Sequence, residues 1–253
     1  MTKRLPPLLI GFFLAAGGLS VAAATADAEF RQGMAAVQAN DFATGLHYLE
    51  LAIADDPDNL RYASEYRQAV IRHKEFDRSI DFFGKLLVSH PASANLHLNY
   101  GFAYVDKIPV AGSITQVILA NTALGEFIKA VDLQPSWITY YTRGASYLFW
   151  PKIFGKASLG VADLEKALSL QKNPAKPYYV RTYVALGDGY CKLDLLDRAR
   201  ATWQEGLRQF PNNAQLKDRL SLHGDELVKY IENGFDPNKR VDTDLRVIWS
   251  EGR

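Results

Sequence analysis

The residue types that most often bind metals or perform catalysis are thinly spread along this sequence. None of the histidines has a neighbour at the short spacing that brings two imidazoles to one metal ion, and no cysteine pair accompanies them. His90 and His97 come nearest, but Pro91 separates them. We therefore predict no metal site, and packing or surface roles for all the histidines: His47, His73, His90, His97 and His223.

Catalytic motifs of other kinds are also missing. The sequence has no G-x-S-x-G elbow, no phosphate-binding loop and no dinucleotide fingerprint. Carboxylates are plentiful, but sequence alone cannot pair them across helices. We predict a protein without catalytic residues or cofactor. An enzyme whose site lies between the body and the C-terminal tail remains an alternative hypothesis.

Charge and cysteine content narrow the possible partners. Lysine and arginine number 29 against 28 aspartates and glutamates, so the basic excess typical of nucleic-acid binding is absent. Cys191 is the only cysteine, which excludes an intrachain disulfide. A small buried hydrophobe is the plain interpretation of Cys191. An intermolecular disulfide or a reactive thiol is the alternative.

Residues 1–28 have the features of a secretory signal. Lys3 and Arg4 precede the apolar run Leu8–Val21, and small residues then offer cleavage after Ala24 or Ala28. This pattern predicts export to the periplasm or the medium. An uncleaved anchor is the alternative, and only in that case do we expect an association with a membrane.

One pattern of small, large apolar and proline residues recurs five times along the rest of the chain. Its last copy is Ala199, Trp203, Gly206 and Pro211. A second helical pattern precedes each copy, and its central residues are spaced by 34, 34, 43 and 43 positions: Gly33, Arg67, Gly101, Gly144 and Gly187. Five copies in phase predict five pairs of amphipathic helices.

A 34-residue unit of two helices resembles the tetratricopeptide repeat (TPR), and the resemblance covers about residues 28–213. The second repeat departs from the family pattern, because Arg67 occupies the glycine position. The resemblance implies an all-α, right-handed superhelical solenoid of about five helix-turn-helix repeats with a C-terminal capping helix. The fifth repeat carries the resemblance best, with Gly206 in place of a second alanine: Tyr183, Leu186, Gly187, Tyr190, Ala199, Trp203 and Pro211.

The repeat pattern also predicts domain limits and helix ends. We expect the solenoid over 29–233, its capping helix over Ala214–Asn233, and a non-repeat tail over 234–253. Trp249 in that tail suggests docking on the body or on a partner. Ser136 and Ser158 stand where helix N-caps are needed. Prolines are expected to end the second helices, and they are Pro57, Pro91, Pro135 and Pro211.

Two insertions interrupt the repeat spacing. Asp106–Thr115 is expected to lengthen the turn of the third repeat, and Trp150–Ala157 that of the fourth. Because the two repeats are neighbours, both turns should project from the same edge. Either they bind a partner, or their apolar residues cover one another.

In the TPR family, the first helix of each pair lines a concave groove that receives a polypeptide. The resemblance therefore implies a protein or peptide partner, and a scaffold that acts in assembling a cell-envelope complex. The alternatives are a binder of a small hydrophobic ligand near Trp150, favoured by a closed apolar pocket there, and a non-catalytic subunit of an envelope enzyme. The implied groove residues are Arg61, Gln68, Arg72, Asn95, Phe102, Asp106, Tyr141, Phe149, Arg181, Asp188 and Lys192.

Overall fold

A computed structural model describes residues 16–250, with side chains from residue 23 onward. Within these residues the secondary structure is helical and contains no β-strand. The helices are α1 Ala16–Gln38, α2 Phe42–Asp55, α3 Leu60–His73, α4 Phe76–Ser89, α5 Ala94–Lys107, α6 Ser113–Leu133, α7 Trp137–Leu148, α8 Ala157–Ser169, α9 Val180–Lys192, α10 Leu196–Gln209, α11 Ala214–Ser221 and α12 Gly224–Gly234.

Successive helices pack as five pairs, which confirms the repeat prediction. The pairs are α1 with α2, α3 with α4, α5 with α6, α7 with α8, and α9 with α10. The chain forms two compact units, and the boundary between them in the sequence lies between Asp56 and Pro57. The first helix pair belongs to one unit and the remaining helices to the other. Residues 1–15 of the signal segment lie outside the described part, and both expected cleavage sites fall within α1. Export remains a prediction.

Glycines allow the paired helices to approach closely, as the sequence predicts. In the first compact unit, a Cβ atom added to Gly33 would lie 3.0 Å from the carbonyl oxygen of Gly45. In the second compact unit, a Cβ atom on Gly187 would lie 2.0 Å from the indole nitrogen of Trp203. Trp203 is fully buried, so α9 and α10 accommodate this large ring only because Gly187 has no side chain.

The helix ends follow local sequence signals with one exception. Four of the second helices end two residues before a proline: α2, α4, α6 and α10. Ser136 caps α7 in a capping box with Thr139. The prediction for Ser158 is wrong, because α8 begins at Ala157 and the Ser158 hydroxyl donates to the Gly155 carbonyl at 3.1 Å.

Two predicted segments differ from the structure. The Asp106–Thr115 insertion is not a long turn: α5 continues to Lys107, a 3-10 turn covers Ile108–Val110, and α6 starts at Ser113. The extra residues thus lengthen α6 rather than the loop. The expected single capping helix over Ala214–Asn233 is two helices, because α11 ends at Ser221 and α12 begins at Gly224, where φ is +51°.

Two hydrophobic clusters stabilise the second compact unit. One surrounds Trp203 and includes Leu216 of α11 and Ile231 of α12, so these helices do cover the end of the last pair. The other surrounds Phe127 and contains Leu245, which belongs to the chain after α12. The C-terminal segment is therefore part of the packed fold.

Candidate functional site

The C-terminal segment, residues 235–250, lies against the first helices of the repeats; we call it the tail. It has no regular structure except a 3-10 turn at Arg246–Ile248. Its residues contact side chains of α3, α5, α7 and α9, whose common face we call the first-helix surface. Ile248 and Trp249 pack on the cluster around Phe127, so Trp249 docks on the body of the protein.

Arg67 is the centre of a buried polar network that holds the tail. Its guanidinium donates to Asn99 Oδ1 at 2.9 Å, to Asp106 Oδ2 at 2.8 Å and to the Thr243 carbonyl at 3.0 Å. The Thr243 hydroxyl in turn donates to Asp106 Oδ1 at 2.5 Å. The Phe102 ring stacks on the guanidinium at 4.7 Å.

This network explains why the second repeat lacks the expected glycine. The Arg67 side chain is 0% exposed and that of Asp106 is 3% exposed, so each charge depends on the other for compensation. The Thr243 carbonyl completes the set of acceptors around the guanidinium. Arg67 thus holds the tail through the Thr243 carbonyl, and Asp106 holds it through the Thr243 hydroxyl.

Arg181 of α9 makes a second, more exposed contact with the tail. Its guanidinium donates to the Asp244 carbonyl and to the Asp242 carboxylate, both at 3.1 Å. At the opposite side, Arg240 donates to Gln68 Oε1 at 3.3 Å. Arg67 and Arg181 together hold the tail by hydrogen bonds to two consecutive main-chain carbonyls, those of Thr243 and Asp244.

An apolar side chain and a buried carboxyl group complete this end of the surface. Leu245 is 3% exposed and belongs to the cluster of Phe102 and Phe127. Glu65 of α3 is buried near Arg246 and Trp249. Burial raises the pKa of the Glu65 carboxyl group, and attraction to Arg246 offsets part of this increase.

From Phe102 and Leu245 toward α7 and α9, the tail borders a partly open, mainly apolar cavity of about 640 Å³. Both insertions contribute to its lining, through Pro109 and Trp150, as expected for turns on the same edge. Phe235 of the tail meets Phe149 edge to face, with ring centroids 5.1 Å apart. Ile153 and Phe154 remain 89% and 58% exposed, so the insertions do not simply cover one another.

Seven of the implied groove residues contact the tail or line this cavity. They are Gln68, Phe102, Asp106, Tyr141, Phe149, Arg181 and Lys192. Tyr141 also stacks on Trp137, with ring centroids 5.2 Å apart. Arg72 borders a second, polar cleft between α3 and the tail. Their roles in binding a partner remain predictions.

The other three implied residues lie elsewhere. The Asn95 amide donates to the Asp58 carbonyl at 2.8 Å and so fixes the turn before α3 to the start of α5. Asp188 accepts two hydrogen bonds from Arg219 of α11, at 2.5 and 2.7 Å. Arg61 is exposed and near Glu65. Asp188 therefore attaches α11 to α9. Burial raises the pKa of its carboxyl group, and the hydrogen bonds and charge of Arg219 offset part of this increase.

Sequence reasoning missed Arg67, Thr243 and Leu245. Arg67 carried a signal, because an arginine at a glycine position of the repeat requires a buried partner. Thr243 carried none, since nothing in the tail repeats the pattern of the body, and Leu245 was marked only as the start of the apolar run Leu245–Trp249. Their partners are more than 100 positions away in sequence.

The described residues provide little for metal or thiol chemistry. Within residues 16–250, no group of three histidine, cysteine, aspartate or glutamate side chains is placed to hold a metal ion. His97 contacts Glu126 at 2.6 Å and the Pro91 carbonyl at 3.0 Å, which confirms its packing role. Burial raises the pKa of the Cys191 thiol, as for an unreactive side chain. No helix in this part of the chain is long and apolar enough to cross a membrane.

Solved structures show what the fold is similar to. No protein-family model matches the sequence, and no curated protein matches it either. TTC0263, a thermophilic TPR protein of Thermus thermophilus, is 19% identical, with 78% of this chain and 97% of that chain covered and a TM-score of 0.55. MamA is 19% identical, with 76% and 94% covered and a TM-score of 0.51. A tetratricopeptide repeat protein from Parabacteroides merdae is 13% identical, with 83% and 75% covered and a TM-score of 0.53. The predicted all-α, TPR-like fold class is thereby confirmed.

Proposed function

We propose that this protein is a scaffold that binds an extended polypeptide on its first-helix surface, in the place of its own tail. The observation that supports the proposal is the way the tail is held. Arg67 and Arg181 donate to the carbonyl groups of Thr243 and Asp244. Main-chain carbonyls are present in every polypeptide, so the same donors suit a partner chain that enters in extended form.

The tail also indicates the chemistry that a partner needs. Asp106 accepts a hydrogen bond from a hydroxyl group, which Thr243 supplies in the tail. The cluster around Phe127 receives an apolar side chain two positions after that hydroxyl residue. Arg181 pairs with a carboxylate one position before it. Asp242-Thr243-Asp244-Leu245 supplies all of these groups. The proposed partner is a protein with a segment of this kind, an acidic residue followed directly by a hydroxyl residue, with an aliphatic residue two positions after the hydroxyl.

The test uses a fluorescent peptide of residues 238–250 added to the full chain. A double variant, Thr243→Ala with Leu245→Ala, loosens the internal tail, so it should bind the peptide at least tenfold more tightly than the wild type does, a difference of about 1.4 kcal/mol. A peptide carrying the same two substitutions is the control and should bind neither protein. Equal affinity of the intact peptide for both proteins would contradict the proposal, provided that circular dichroism shows both to be folded.

The site of action is part of the same proposal. The basic start and apolar run of residues 1–28 support export, and an exported scaffold would assemble a complex of the cell envelope. N-terminal sequencing of the protein from the producing cell should begin at Thr25 or Glu29. An intact N-terminus in the cytoplasmic fraction would sink this part of the proposal without affecting the peptide test.

A further inference from the structure

The cavity under the tail has the size and lining of a small-molecule site. Its volume of about 640 Å³ lies inside the range of roughly 300–1,000 Å³ usual for ligand pockets. Its walls include Phe102 of α5, Tyr141 of α7, Phe149 at the C-cap of α7 and Leu245 of the tail. An apolar wall contributed by three separate elements favours an apolar ligand.

Lys192 gives this cavity one half-buried positive group. Its ammonium group donates to the carbonyls of Leu148 and Trp150 and lies 4.5 Å from the centre of the Phe235 ring. Burial lowers the pKa of Lys192, because the ammonium group loses part of its hydration, and Glu232 and Asp188 offset only some of this effect.

The other cations that line the cavity differ from Lys192. Lys152 forms an ion pair with Asp194, and Arg181 forms one with Asp242. Lys239 is exposed and donates to Asn233. Within the described residues, Lys192 is therefore the half-buried cation of the cavity without a carboxylate at ion-pair distance.

A second polar group in the lining also has unused hydrogen-bonding capacity. Thr142 is 4% exposed, and its hydroxyl oxygen has no hydrogen-bond partner among the described residues. An unpartnered buried hydroxyl costs free energy. The Thr142 oxygen is itself covered by protein atoms, so the half-buried ammonium group of Lys192, rather than Thr142, is the group that can donate to a ligand with oxygen atoms.

We propose that the cavity binds a long-chain monocarboxylate of the fatty-acid class. The hydrocarbon chain lies among Phe102, Phe149 and Leu245, and the carboxylate accepts from Lys192. A charge-assisted hydrogen bond between the ammonium group and the carboxylate stabilises both charges. Val117 and Phe154, each 58% exposed, border the cavity and give the chain an apolar entrance.

This inference does not rest on the proposed function, because the ligand binds the form of the protein in which the tail is docked as a wall of the cavity. The first experiment is isothermal titration calorimetry of the full chain with palmitate and with hexadecanol, which lacks the carboxylate. Palmitate should bind at least tenfold more tightly. Lys192→Met should reduce palmitate affinity about tenfold and leave hexadecanol unchanged. Lys166→Met, an exposed lysine on α8, is the matched control and should change neither.

The second experiment fills the cavity from two different helices. Ala145→Phe on α7 and Ala120→Phe on α6 each place a ring in the lining, and both should abolish binding of both ligands. Circular dichroism and thermal melting identify a variant that fails to fold. Ligand binding by the other, folded variant then tests the proposal.

Three results would overturn the proposal. They are no palmitate binding by the wild type, equal affinity for palmitate and hexadecanol, or full binding by a folded, filled variant. Failure of the peptide test would leave these results unaffected, since none of them requires the tail to leave.

Discussion

The two ends of the first-helix surface lie under the same tail but are built differently. At the α3 and α5 end, the tail is sealed by the buried Arg67–Asp106 pair and by Leu245. At the α7 and α9 end, Phe149 and Lys192 stand around a cavity of about 640 Å³. Equivalent positions of the repeat thus bind the tail at the α3 and α5 end and line a cavity at the α7 and α9 end.

This difference shows that the position of a residue in the repeat does not decide its role. The polar end requires a set of fully matched donors and acceptors, because a buried charge without a partner is costly. Arg67, Asp106 and Thr243 supply that set and so fix the register of the tail. The α7 and α9 end is mainly apolar. It needs no matched set of donors and acceptors, because dispersion contacts between apolar groups have no preferred direction. There the tail contacts the body through the Phe235 and Phe149 rings and through Arg181, and a cavity remains between the tail and the helices.

The largest expected effect comes from breaking the polar end. Asp106→Ala leaves the Arg67 guanidinium buried without its counter-charge, so the free energy of unfolding should fall by about 3–5 kcal/mol. The control is Asp242→Ala, which removes an exposed pair with Arg181 and should cost about 1 kcal/mol or less. Urea denaturation of both variants measures the difference. Equal losses would mean that the tail is not held mainly by the buried network.

A smaller difference in the free energy of unfolding is expected between truncations of two phenylalanines. Phe127 is 1% exposed in the cluster under Leu245, so Phe127→Ala should lower the free energy of unfolding by about 3–5 kcal/mol. Phe149 is half-buried at the edge of the cavity, where truncation enlarges an existing space, so Phe149→Ala should cost only about 1–2 kcal/mol. Chemical denaturation with both variants tests this order. A larger loss for Phe149→Ala would show that the cavity end is packed as tightly as the polar end.

The smallest effect concerns the pH dependence of tail docking. Burial raises the pKa of Glu65, so its ionised form is less stable in the folded protein than in the unfolded chain. Glu65→Gln should therefore raise the melting temperature at pH 7. The advantage should shrink as the pH falls from the raised pKa toward 4.5, and vanish below that value, where the wild-type carboxyl is protonated in both states. Melting curves from pH 4 to pH 7 measure this trend, and a variant that is less stable than the wild type at pH 7 would show that attraction to Arg246 dominates.

Local sequence signals were sufficient for most of the fold and for part of the site. Proline after four of the second helices, serine before α7 and glycine at the crossing of α9 and α10 act over a few residues, so their consequences were predicted correctly. The break between α11 and α12 was not, because Gly224 looks compatible with a helix until its φ of +51° is known. The lengthening of α6 was missed because the prolines and glycines of the insertion indicate a turn without indicating its length.

The sequence by itself determined the helix pairs, their ends and the face that the first helices share. It did so because these features depend on backbone geometry and on side-chain size within one repeat. Only the tertiary structure decided what lies on that face. Thr243 reaches Arg67 across 176 positions, and Leu245 enters a cluster formed by α5 and α6. Such contacts leave no periodic signal in the sequence, because the partners can stand anywhere in the chain. What stabilises them is the pairing of a buried guanidinium group and the removal of one leucine side chain from water.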